Sequence, residues 1–378
     1  MAALSEEQSM IRDQAKSWAS EQAPVQKFRE MRDSGIEQRF TATTWAEMIE
    51  MGWTGILVPE EYGGSELGYL TFGVVLEELG RQLTASPLFA SALVGTSAII
   101  LAGNEEQKQS LLPKVVDGSE LLTLALDEGN HHQPALTALR AEKNPSGFTL
   151  NGSKTFVLEG MAATTLIVAA RTSGKAGDSE GISLFLVAAD AAGVARSSMQ
   201  TVDSRGYAKV EFNNVEVASD GLLGSLDQGF DVLESILDRA RAGLGAEMMG
   251  TAAQAFDMTL DYLKTREQFG SVIGSFQALG HRAAVLFSSM ELSRSCMEAA
   301  LQAIDNGDDD IAEATSLSKA KMGAFLHEMS NQLIQIHGGI GMTDEFDAGL
   351  YLKRARVLEA AYGNQAYHRN RYATLLGF

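Results

Sequence analysis

Apolar positions recur every three to four residues over Leu4–Trp18, Ala42–Met51, Leu70–Gly80 and Leu88–Ala102, a spacing that predicts helices through the first part of the chain. Between the second and third runs lies Val58-Pro59-Glu60-Glu61-Tyr62-Gly63-Gly64, whose proline and paired glycines predict a turn. From about Leu121 to Leu223 the pattern shifts to short alternating or β-branched runs: Phe148-Thr149-Leu150, Thr165–Ala169, Ile182–Val187 and Val210–Val217. Asn-Gly, Ser-Gly and Asn-Asn pairs separate them as turns, so strands are predicted here. After Gly229 the helical period returns in long segments near 230–265, 275–305, 310–337 and 346–376, lengths that pack as an antiparallel bundle. Strands and helices are segregated rather than alternating, which predicts an α+β chain. It would comprise an N-terminal helical domain at 1–118, a middle β-barrel-like domain at 119–224 and a C-terminal four-helix bundle at 225–378.

With 378 residues, 45% of them hydrophobic, the chain can bury a substantial core in two or three domains. A formal charge of −19 excludes nucleic acid as the main partner, because phosphate binding needs a basic footprint. Any anionic ligand must be held by local positive charge. The start of the chain lacks the basic and apolar regions of a secretory signal. The Leu88–Ala102 run is too short for a membrane span and is broken by Ser91, Gly95, Thr96 and Ser97, so a buried helix is expected. The lone Cys296 excludes an internal disulfide and a cysteine-based zinc site, which fits a reducing cytoplasm. Gly243-Leu244-Gly245 with Gly250 imitates a dinucleotide fingerprint, but the third glycine is out of place and no strand precedes it. No metal is expected: His131-His132 are neighbours that point different ways, and their loop is read as solvated or facing a partner.

Several ordered segments resemble the acyl-CoA dehydrogenase family. They are Gly52-Trp53 with Pro59–Gly64, Leu112-Pro113 before Gly118, and Asn151-Gly152-Ser153-Lys154 with Phe156-Val157-Leu158. Further along come Leu237-Asp238-Arg239-Ala240-Arg241, Arg266-Glu267-Gln268-Phe269-Gly270, Phe276-Gln277 and Gln335-Ile336-His337-Gly338-Gly339. The resemblance implies FAD as cofactor, an acyl-CoA thioester as substrate and an electron-transfer flavoprotein as electron acceptor. It also implies a homo- or hetero-oligomer with a related chain, in which the glycine loop of one subunit closes on the FAD of its neighbour. Cofactor contacts are implied for Leu126, Asp127, Phe156, Leu158, Arg266, Gln268, Phe269, Gln277, Gln335, Gly338, Gly339 and Gln365, and substrate contacts for Asp238, Arg241 and Gly363.

Physical reasons stand beside some of these. Gly338-Gly339 lets backbone N–H groups approach phosphate closely. Arg266 supplies a fixed positive fork, unless it only pairs a nearby acid. Asp238 and Arg241 share a helix face, as a substrate site or as a plain ion pair. Phe156 keeps an aromatic surface where the family commonly has tryptophan.

The family's base follows a tyrosine near the C-terminus, where this chain reads Tyr362-Gly363. An alternative family position falls on Ala240, also inert. Gly363 retains a backbone N–H that can polarise a thioester carbonyl. Glu247 is the remaining candidate base, the only ionisable residue between Ala242 and Phe256, about two turns past Ala240. A carboxylate in such apolar surroundings is expected to have a raised pKa; the alternative is that it pairs with an arginine from another helix. Two readings follow: an active dehydrogenase, or a non-catalytic or half-catalytic subunit whose partner supplies the base.

Overall fold

A computed structural model describes residues 4–378. Its N-terminal helices are α1 (Glu6–Glu21), α2 (Val25–Ser34), α3 (Ala42–Glu50), α4 (Gly68–Arg81), α5 (Thr96–Ala102) and α6 (Glu105–Val116). α1 starts where Ser5 and Gln8 satisfy each other's backbone N–H groups, at 3.1 and 3.0 Å. The Leu88–Ala102 run is not one regular helix, because Phe89–Gly95 winds as a wider π-helix before α5. Ser91 in that turn accepts the Leu122 N–H at 3.1 Å, and a Cβ on Gly95 would lie 2.3 Å from the Leu122 Cβ. Tertiary fit at Leu122 therefore shapes the turn, and the apolar pattern does not record it.

The strands are β1 (Leu122–Ala125), β2 (Arg140–Asn144), β3 (Gly147–Leu158), β4 (Thr165–Arg171), β5 (Ile182–Ala188), β6 (Val194–Met199), β7 (Tyr207–Ala218) and β8 (Leu222–Leu223). They form one sheet in the order β6-β7-β3-β2-β4-β5-β8, with β1 running parallel beside β4. Asn151-Gly152 is not a turn between strands. β3 runs through it, with register shifts against β7 between Leu150 and Gly152 and again between Lys154 and Val157. Gly152, at φ 143°, takes a backbone conformation that favours glycine in a bulge as much as in a turn. One face of the sheet buries Phe148, Leu150, Val168, Phe185 and Phe212, and the Phe148 and Phe185 rings meet tilted at 4.9 Å.

The C-terminal part contains α7 (Gly229–Thr265), a hairpin of β9 (Glu267–Gln268) and β10 (Ser271–Val272), and then α8 (Gln277–Asn306), α9 (Ile311–His337), α10 (Ala348–Ala360) and α11 (Gln365–Leu375). The segment expected as one helix over 346–376 is two. Tyr362 (φ 53°) and Gly363 (φ 103°) leave the helical region and break it.

Contacts divide the chain into two compact units, one holding 4–29, Tyr69–Thr84 and Arg241–Phe378, the other Glu30–Gly68 and Ala85–Ala240. Within the first, α4 crosses α7 at glycines: a Cβ on Gly250 would lie 1.8 Å from the Glu77 carbonyl oxygen. Only a residue without a side chain permits that approach. Asp305 of α8 caps the start of α4 by accepting the N–H groups of Tyr69 and Leu70 at 2.6 and 2.9 Å. Within the second, the Gln107 amide of α6 donates to the Asp220 and Leu222 carbonyls at 2.8 and 3.0 Å. No helix among the described residues is long and apolar enough to cross a membrane.

Candidate active site

In the sheet-containing unit, the four expected cofactor residues sit on the loop after β1 and on β3. Lys154 is fully buried there, and its Nζ donates to the Leu126 carbonyl at 2.8 Å and to Glu128 Oε1 at 2.7 Å. The Glu128 carboxylate also accepts the N–H groups of Ala138 and Leu139, at 3.0 and 2.9 Å. Buried Arg171 holds the same loop from the other side, donating to the carbonyls of Ala135 (2.8 Å) and Thr137 (3.0 Å). The Asp127 carbonyl accepts the Thr155 N–H at 2.7 Å. Leu126 and Asp127 are therefore fixed in backbone position by a buried cation, an acid and a strand.

Burial draws the Lys154 ammonium below its ordinary range, while Glu128 pulls it back up. The clamp was not foreseen, because Lys154 lies between polar residues and its partners are remote in sequence. Lys154→Met is expected to cost about 2–3 kcal/mol, the lower end for a broken buried pair because Glu128 keeps its two N–H donors. Urea unfolding is the readout, and an unchanged midpoint would contradict the clamp.

Phe156 follows Lys154 within the second bulge, in the left-handed region at φ 51° and 42% exposed. Leu158 is half-buried, and its carbonyl accepts the Thr123 hydroxyl at 2.5 Å. In the loop expected to be solvated or to face a partner, the two histidines differ. The His132 side chain is 3% exposed with Nδ1 3.2 Å from Asp127 Oδ1, whereas His131 is exposed. Among the described residues no three metal-ligating side chains gather.

In the helical unit, Arg266, Gln268 and Phe269 lie on the β9–β10 hairpin, Gln277 at the start of α8, and Gln335, Gly338 and Gly339 at the end of α9; all are exposed. Leu263, Ile273 and Ile336 share one apolar cluster, which brings the hairpin and the end of α9 together. The His337 ring stacks on Tyr262 at 4.2 Å and donates Nδ1–H to the Leu333 carbonyl at 2.7 Å, locking the helix end before Gly338.

Phe269 and Gly270 carry φ of 54° and 76°, the two positive values of a tight type I′ hairpin turn. A side chain in that conformation costs about 1–2 kcal/mol, and Phe269 recovers none of it by burial, being 94% exposed. An exposed, strained aromatic on the same hairpin as an exposed arginine, together with an open glycine pair with nothing within 4 Å of a Cβ on Gly338 or Gly339, fits a large ligand with aromatic and phosphate parts. The residues present thus fit FAD.

The expected substrate residues lie on α7 and on the break after α10. Asp238 and Arg241 are buried a turn apart on α7, and Arg241 Nε lies 3.4 Å from the Tyr362 carbonyl. Gly363 is buried, and Gln365 starts α11 half-buried. Glu247, expected as a base or as the partner of an arginine from another helix, is paired: buried Arg354 of α10 donates to its Oε1 through Nη2 at 2.6 Å and Nε at 3.0 Å. The ion-pair alternative is the one this geometry supports. Two N–H groups of one guanidinium hold Oε1, so the carboxylate is paired and oriented by Arg354.

Comparison with known proteins indicates an oxidoreductase of the flavoprotein class. Family models match the N-terminal domain of acyl-CoA dehydrogenases at residues 5–119, the middle domain at 127–215 and the C-terminal domain at 227–376. The chain belongs to the acyl-CoA dehydrogenase family, whose members are FAD-dependent. It is 33% identical over 335 residues to the mitochondrial 2-methylacyl-CoA dehydrogenase of Solanum tuberosum, covering 86% of this chain and 80% of the relative. The Tcur3481-Tcur3483 steroid ACAD variant superposes with TM-score 0.88 at 30% identity, covering 98% of each chain. The ChsE4-ChsE5 complex from Mycobacterium tuberculosis superposes with TM-score 0.90 at 26% identity, covering 100% of this chain and 99% of that one.

Proposed function

We propose that this chain binds FAD and takes part in the α,β-dehydrogenation of an acyl-CoA thioester, with an electron-transfer flavoprotein as the electron acceptor. The observation that carries the reading is the exposed, conformationally strained Phe269 on one hairpin with exposed Arg266, in the unit that also carries the open Gly338-Gly339 pair. That surface gains its stabilisation only when a ligand and a second subunit cover it.

Arg266, Gln268, Gln277 and Gln335 would hold the dinucleotide, and the loop fixed by Lys154 and Glu128, with Phe156 and Leu158, would hold the ring. FAD, when bound, supplies the acceptor for hydride. Asp238, Arg241 and Gly363 would line the thioester end, where a backbone N–H stabilises charge developing on the carbonyl oxygen. Gln365 would lie at the cofactor side of the same turn.

A second reading is favoured by the Glu247–Arg354 pair and the enclosed Gly363: the chain is the base-poor subunit of a hetero-oligomer with a related chain. The likeness to the two two-named assemblies described above supports it. Anaerobic titration of the purified chain with butyryl-, isovaleryl- and palmitoyl-CoA separates the two. A yellow protein whose flavin absorbance bleaches is an enzyme by itself. A chain that gains flavin or turnover only when co-purified with a related chain is a subunit. Failure to take up FAD in either setting would remove both.

A further inference from the structure

Three basic side chains from three helices converge beneath the 361–364 turn. Lys319 of α9 is buried, and its Nζ donates to the carbonyls of Leu358 (3.0 Å), Glu359 (3.2 Å) and Gly363 (3.0 Å). Arg241 of α7, wholly buried, reaches the Tyr362 carbonyl at 3.4 Å and the Tyr367 hydroxyl at 3.3 Å. His368 of α11 donates Nε2–H to the Tyr362 carbonyl at 3.0 Å and leaves Nδ1 buried without a hydrogen-bond partner.

The carbonyls at a helix end are ordinarily met by water or a glycine cap. Burying an ammonium and a guanidinium for that purpose is costly, since each loses its hydration. Burial, with the Arg241 charge adding to it, draws the Lys319 ammonium down to about 7, against the opposing pull of Glu359. Such a costly arrangement does something that a solvated turn would not.

A planar trans peptide points its C=O and N–H in opposite directions. Holding the Tyr362 and Gly363 carbonyls toward these three donors turns the Gly363 and Asn364 N–H groups to the other side. The Gly363 N–H there makes a 3.3 Å bond to the Ala360 carbonyl.

We propose that Lys319, supported by Arg241 and His368, is a positioning residue that anchors the carbonyl side of the 361–364 turn so that its N–H side meets the acyl thioester. The inference rests on the acyl-CoA reading above, which places Gly363 at the thioester.

The test compares Lys319→Met with Asp305→Ala, which removes the cap of α4 and serves as a control for loss of stability alone. Measured are flavin content, hydrogen exchange of the peptide spanning 360–366, and kcat and KM with whichever of the three acyl-CoA thioesters the wild type turns over. Lys319→Met is expected to keep its flavin and to exchange at 361–364 about tenfold faster. Its kcat should fall about 10- to 100-fold, with KM moving less than about threefold, the pattern of a displaced transition-state donor. Asp305→Ala should lower the urea midpoint and leave exchange at the turn and kcat as they were. Wild-type exchange and kcat in Lys319→Met overturn the proposal, as does an equal loss in Asp305→Ala. Should Lys319→Met fail to accumulate, Lys319→Gln, with fewer donors, decides the same way. A wild type inert toward every thioester, alone and beside a related chain, defeats the functional reading instead, and the exchange comparison still judges whether Lys319 holds the turn.

Discussion

Arg354→Met is expected to lower stability by about 3–5 kcal/mol, because it strips the partner from a carboxylate that stays buried. The pair is dry: the Arg354 and Glu247 side chains are 8% and 10% exposed, so solvent screening does little to reduce the loss. Glu247→Gln preserves shape but leaves the guanidinium facing a neutral amide, and should cost a similar amount. The double variant Glu247→Leu with Arg354→Met removes both charges together and should regain most of the loss, the non-additivity being the signature of direct pairing. Urea unfolding of the four proteins measures this. Flavin reduction by acyl-CoA in Glu247→Gln should fall only in proportion to the folded fraction. A stable Glu247→Gln protein that binds FAD yet cannot be reduced would restore Glu247 as the proton acceptor and defeat the structural assignment.

Glu247 also marks the limit of what sequence periodicity reveals. Its apolar helical surroundings were readable, since every neighbour within a turn is uncharged. Its partner was not, because Arg354 is 107 residues away on another helix. The same holds for the other buried cations. Lys154 is held by Leu126 and Glu128, Arg171 by Ala135 and Thr137, and Lys319 by Leu358 and Gly363, mostly through backbone carbonyls that leave no trace in residue type.

Long helices fared better, since α8 and α9 repeat an apolar face for many turns and α7 carries a long run of small and apolar residues that is buried on all sides. The errors fell where one signal serves two structures. A glycine after asparagine suits a bulge as well as a turn, which hid the continuation of β3 through Gly152. The Leu88–Ala102 run is equally apolar whether wound as an α-helix or a π-helix. Exposed Phe269 and Arg266 were found through family resemblance, since alternation and period carry no information about a surface loop. Their geometry then supplied the independent physical reason, an aromatic in a strained turn without burial to offset it.

Gly363→Glu is expected to destabilise the chain by about 3 kcal/mol and to gain no dehydrogenase activity, although it places a carboxylate at the family's position for the base. Two penalties meet there. The backbone sits at φ 103°, a conformation that costs a side-chain-bearing residue about 1–3 kcal/mol. A Cβ would also lie 2.5 Å from Tyr367 Cδ1 and 2.8 Å from His368 Nε2, and overpacking adds about 1–3 kcal/mol more. His368 cannot easily yield, because its Nε2–H is committed to the Tyr362 carbonyl and its ring lies edge-on to Tyr367 at 5.1 Å. Both penalties attach to the Cβ rather than to the carboxylate, so Gly363→Ala should show most of the same loss. Denaturant midpoints for the two variants, together with anaerobic flavin reduction, test the argument. A Gly363→Glu protein of wild-type stability that bleaches its flavin faster would mean that Tyr367 and His368 swing aside, and that the turn is a site waiting for its base rather than one closed against it.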